Sequence, residues 1–121
     1  MKNLQTFNEF INESIKNIEG KIKIEKTDAI YIMVGGDEIM FSKDSRTIDL
    51  FIKALENKKV TSNHDEWTSI ESNDGDIFIK RAKGSDLVTI SNVESGKSES
   101  TWVTIEFEAR LIDSIVDAIK K

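Results

Sequence analysis

The sequence predicts an α+β protein: an N-terminal helix, then two pseudo-repeated βββα units forming antiparallel sheet with the helices packed on one side. Three observations predict it. Helical spacing of apolar residues near the N-terminus gives way to period-2 alternation. Runs of short strands are each followed by a helical pattern, an order that goes with antiparallel meanders and not with βαβ crossovers. Finally, two stretches match without a gap when Arg46 is laid over Arg110. In that register Ile48/Ile112, Asp49/Asp113 and Ala54/Ala118 are also identical, and Phe51/Ile115, Ile52/Val116 and Leu55/Ile119 stay apolar. A fixed-offset match of this kind is the signature of a repeated supersecondary unit. The pattern divides a single domain, 1–121, into an amphipathic helix (1–20), a first unit (21–58), a polar joint (59–75) and a second unit (76–121).

Leu4, Phe7, Phe10, Ile11, Ile15 and Ile18 fall at helical spacing. Thr6 with Glu9 makes a capping box and Gly20 a stop, which predicts a helix over about residues 6–19. Residues 21–26 alternate and predict a strand, and residues 29–34 are apolar on both faces and predict a central one. Gly35-Gly36 between apolar runs predicts a tight hairpin, because both residues tolerate positive φ. Residues 38–41 return as a third strand, and the caps in 42–45 open a helix reaching about Asn57 on Ile48, Phe51, Ile52 and Leu55. Residues 57–75 are rich in turn formers, with a short strand near Trp67 and Ile70 as an option. The second unit reads as strands over 76–81, 86–93 and 101–107, then a helix over 109–120.

Composition narrows the function. At 121 residues the chain is long enough for one genuine core. Net charge −5 and a pI near 4.9 disfavour general nucleic-acid binding, which needs clustered Lys and Arg. The chain has no cysteine, so neither disulfides nor thiolate metal sites are expected. No apolar run approaches the ~20 residues that span a bilayer, and the N-terminus lacks a secretory layout. The expected compartment is a host cytoplasm or the interior of a particle assembled there.

Catalytic and metal chemistry find few residues. His64 is the single histidine and sits in the polar joint, too few ligands for zinc. Asn73-Asp74-Gly75-Asp76 begins like a calcium loop but lacks the downstream glutamate. Gly35-Gly36 is no phosphate loop, since strand follows it. No nucleophile, base and orienting group stand out together, so neither an enzyme nor a cofactor is expected. Arg46 and Arg110 occupy equivalent places at two helix starts, where a cation opposes the helix dipole. They are candidate anion contacts, although a salt bridge to Asp49 or Asp113 three residues on explains them more simply. Tyr31 and Met33 share one strand face opposite Ile30, Ile32 and Val34. With Lys23, Lys80 and Arg81, Tyr31 forms a candidate face for single-stranded nucleic acid.

The segment Leu4–Ser14 resembles the capsid-targeting leader of internal head proteins of T-even-like tailed phages. The matching positions are Thr6, Phe7, Asn8, Glu9, Phe10, Ile11, Asn12, Glu13 and Ser14. In that family a prohead protease cuts after the glutamate of a Leu/Ile-x-Glu triplet. Ile11-Asn12-Glu13 fits the triplet, so the resemblance implies a cut before Ser14. Each βββα unit also looks like the transcriptional-coactivator and Whirly class of single-stranded-DNA-binding proteins, in element order only. These resemblances imply a small, non-enzymatic phage accessory protein that acts by binding and is targeted to the phage head. Its expected partner is a protein, either of the phage head or of the host, or a second copy of itself. A single-stranded nucleic-acid-binding module is the alternative, disfavoured by the acidic charge.

Overall fold

The computed structural model describes residues 15–59, 67–71, 75–82, 84–93 and 102–120. The chain begins there with strand, not helix. Strands β1 (Ile15–Ile18), β2 (Ile22–Lys26), β3 (Ile30–Val34) and β4 (Asp37–Phe41) form an antiparallel meander, followed by helix α1 (Ser45–Asn57). Strands β5 (Thr68–Ile70), β6 (Asp76–Arg81), β7 (Leu87–Val93) and β8 (Val103–Glu108) form a second meander. A 3₁₀ turn over Ala109–Leu111 then leads into helix α2 (Ile112–Lys120).

This overturns the expected order of a helix and two βββα units. The described residues are β-rich, with two four-stranded antiparallel sheets and two α-helices. The expected N-terminal helix fails where it can be checked: Ile15–Ile18 pairs with β2, Ile18 opposite Ile22. The reason is local. Glu19 and Gly20 both take positive φ (53° and 69°), and the Lys21 amide donates to the Ile18 carbonyl at 2.9 Å. That is the mirror-image two-residue turn that suits the twist of a hairpin. Ile18, Ile22 and Ile24 then fall on the buried face, and β-branched side chains favour the pleated strand over a helix. In the polar joint, Thr68–Ile70 adds a fourth strand to the second sheet by pairing with β6. The remainder of the expected helix, residues 6–14, lies outside the described residues.

Both sheets turn their isoleucines into one core. Ile24, Ile30, Ile32, Ile39 and Phe41 of the first sheet join Ile77, Ile79, Val88 and Ile90 of the second, all with no exposed surface. Helix α2 packs against β1 and β2 of the first sheet, while α1 touches β5 of the second and α2 itself. Strand β4 lies beside β8, and the side-chain oxygen of Asn92 on β7 accepts the Met40 amide at 3.3 Å. The two halves therefore interlock through their helices and meet along their last strands.

Helix α1 starts where the cap residues said it would. Asp44 accepts the Thr47 amide at 2.9 Å and the Thr47 hydroxyl at 2.8 Å. Hydrogen bonds from the Ser42 hydroxyl, then from the Thr47 amide and hydroxyl, lower the Asp44 pKa from 3.8 to about 2. A carboxylate depressed on folding stabilises above its unfolded pKa and loses that contribution as pH falls through the folded value. Acid unfolding of the native chain should therefore include a contribution lost between about pH 4 and pH 2. In Asp44→Ala that contribution should vanish and the melting temperature at neutral pH should fall by a few degrees. A melting temperature in Asp44→Ala equal to the native one at both pH values would contradict the cap.

Candidate binding surface

With one face of each sheet committed to the core, the opposite faces are where side chains meet solvent. In the second sheet the strand alternation sends Phe78 and Lys80 of β6, Thr89 of β7, and Thr104 and Glu106 of β8 outward, while Ser91, in the row between Phe78 and Thr104, is covered. Trp102, just before β8, shares this side and stacks on Phe78, with centroids 4.8 Å apart and planes 9° from parallel. Trp67, just before β5, is 43% exposed, and the Lys80 ammonium sits 5.5 Å from its ring centroid. That distance is within cation–π range. Trp67, Lys80, Ser85, Leu87, Thr89 and Glu106 line a shallow cleft of about 250 Å³.

The first sheet presents a different outward face. Ile15, Glu25, Tyr31 and Met40 form one cross-strand row, and Asn17, Lys23, Met33 and Glu38 the next. Tyr31 donates its hydroxyl to Asp28 at 3.0 Å, and this bond is the first cause of its raised pKa. Cations on both faces have carboxylates for row-mates. Lys23 shares its row with Glu38, and Lys80 shares its row with Glu106 across Thr89.

The expected site residues thus separate. Lys23 and Tyr31 lie on one sheet and Lys80 on the other. Arg81 is not on an outward face at all. It points inward, 6% exposed, and donates to the carbonyls of Ser85 (2.7 Å), Lys58 (2.8 Å) and Lys59 (3.0 Å), with Asp86 3.7 Å away. It holds the C-terminal end of α1 against the second sheet. The equivalence of Arg46 and Arg110 does not survive either. Arg46 is exposed on the first turn of α1. Arg110 makes two hydrogen bonds to Glu19 (2.7 and 2.8 Å) and a third to Glu108 (2.7 Å). Its partners are not Asp113, which pairs with Lys59 instead.

Thr6, Phe7, Phe10, Ile11, Glu13 and Ser14, together with His64, lie outside the described residues. Among the described residues no three His, Cys, Asp or Glu side chains are grouped to hold a metal ion. No helix among them is long and apolar enough to cross a membrane. Sequence reasoning missed Phe78 as the partner of Trp102. The alternation Asp76-Ile77-Phe78-Ile79-Lys80 carried the signal, since it puts Phe78 on the side opposite the isoleucines. No protein-family model matches the chain, and no curated protein matches it in sequence.

Proposed function

We propose that this is a small phage accessory protein that acts by binding, carried to the phage head by residues 1–13. The observation that supports this reading is the position of the first described strand. It starts at Ile15, just past the Ile11-Asn12-Glu13 triplet that the leader resemblance singles out. A cut before Ser14 would fall ahead of all eight described strands. Ile15 and Ile18, whose spacing ran on from the leader, belong to β1 and not to a leader helix. A chain beginning at Ser14 should then melt at nearly the same temperature as the full chain. A reporter fused to residues 1–14 should enter proheads of a T-even-like phage, and Phe7→Ala with Phe10→Ala should abolish entry. Exclusion of the unmutated fusion would defeat head targeting.

The outward sheet faces suit a protein partner of the head or host. Tyr31, Met33 and Met40 on one face and Phe78, Trp67 and Trp102 on the other are side chains of the types enriched at protein interfaces. A second reading has one specific observation in its favour: the Phe78–Trp102 stack beside Lys80 and Trp67 is a platform of the kind that unpaired bases stack on. The coactivator and Whirly resemblance adds little, since it rested on three-stranded units. This reading expects weak, salt-sensitive binding of mixed-sequence single strands in fluorescence anisotropy. Trp67→Ala should weaken it roughly ten-fold and Lys80→Glu abolish it. No binding at low salt would leave the protein partner alone.

A further inference from the structure

The two sheets meet at one end through a chain of four charges. We infer that Glu19, Arg110, Glu108 and Lys21 form a releasable latch that closes this end of the seam between the sheets. Glu19 and Lys21 belong to the β1–β2 turn of the first sheet, whereas Glu108 and Arg110 end β8 and open the 3₁₀ turn of the second. Arg110 holds both oxygens of Glu19 with its two terminal nitrogens and Glu108 with its Nε, and Lys21 reaches Glu108 at 3.3 Å. Every link but Arg110–Glu108 crosses between the sheets or extends that crossing.

One end of the latch sits on left-handed backbone. Glu19 is the single non-glycine residue with positive φ among the described residues. Left-handed backbone is disfavoured for a side chain of this kind, and asparagine or glycine is the usual occupant of that turn position. A glutamate there is explained by its reach: its carboxylate arrives at Arg110, which the shorter asparagine side chain would not match. Lys21 and Glu108 of the latch also line an apolar cleft of about 410 Å³, together with Ile22, Val34, Leu87, Phe107 and Leu111. Release of the latch would free two of its walls to part.

The latch is built to yield. The side chains of Arg110 and Glu19 are 52% and 46% exposed, so salt reaches them. The contrast is Arg81 nearby, whose side chain is 7% exposed and bound to backbone carbonyls. The other charged groups around Arg110 are Lys59, Arg81, Asp86 and Asp113. They pair with one another, Lys59 with Asp113 and Arg81 with Asp86. Hydrogen bonding to Arg110 is the first cause that lowers the pKa of both Glu19 and Glu108 below the ordinary 4.5. The latch is therefore closed at neutral pH and opens as pH falls through those lowered values.

Hydrogen–deuterium exchange on the full chain tests this. Raising salt from ~0.1 M to ~1 M shortens the Debye length from about 10 Å to about 3 Å. It should speed exchange at the 18–22 turn and at 106–111 several-fold, and leave the 27–29 turn at the far end of the sheet unchanged. Arg110→Gln should reproduce that pattern at low salt and abolish the salt response. Adding Glu19→Asn to Arg110→Gln should restore slow exchange at the turn, because asparagine accepts the left-handed backbone, while 106–111 stays fast. Unchanged exchange in Arg110→Gln, or equal acceleration of both turns, would overturn the proposal.

Discussion

Truncating Phe51 to alanine is expected to destabilise the fold by about 3–5 kcal/mol. Phe51 lies on the inner face of α1 with no exposed surface, its ring centroid 4.3 Å from that of Phe41 on β4. The contact fastens the first helix to the first sheet at the point where β4 runs beside the second. Its loss leaves a cavity in a core that both halves share, which a relaxing surface loop cannot fill. Ile115→Ala on α2 should cost about 2–5 kcal/mol for the same reason, since Ile115 is also fully buried. Denaturant titration would show both as a shift in midpoint with the slope unchanged. A shift equivalent to less than about 0.5 kcal/mol would mean these faces do not line the core.

Arg81→Met should be nearly as damaging, at roughly 3 kcal/mol. The substitution keeps apolar volume but removes the donors to Lys58, Lys59 and Ser85. The carbonyls of Lys58 and Lys59 follow directly on the end of α1, and losing hydrogen bonds from a charged donor costs more than losing ordinary ones. Arg81→Lys should rescue only in part, because an ammonium cannot reproduce the planar fork that spans α1 and the Ser85 loop. Full stability in Arg81→Met would show that water replaces the guanidinium without loss.

Local signals in the sequence were readable and the long-range order was not. Gly35-Gly36, the 42–45 caps and the alternation in 76–81 each point to the element that forms there. The N-terminal reading went astray because Ile15 and Ile18 satisfy helical spacing as well as a short strand. Periodicity cannot separate the two over so few residues. What decides is Glu19-Gly20 as a hairpin turn, and its unusual glutamate hides the signal an asparagine would have given. The short strand Thr68–Ile70 carries too few residues to show a period, and its pairing with β6 supplies the order. Arg81 was unreadable for another reason. Its side of β6 follows from alternation with Ile77 and Ile79, but the carbonyls that repay its burial come from a helix end far away in sequence. Charge and residue type alone made it look like a surface cation. The outward platform was half legible, with Lys80 and the tryptophans visible and Phe78 overlooked.

Head targeting, as proposed, requires that residues 1–13 act as a removable address and that the cut falls before Ser14. The most direct test is the intact mass of the chain recovered from purified heads of a T-even-like phage grown on cells that express it. The expected result is a species beginning at Ser14 inside the heads, and the full chain in the unassembled fraction of the same lysate. A chain that stays full length throughout and is absent from the heads would contradict it.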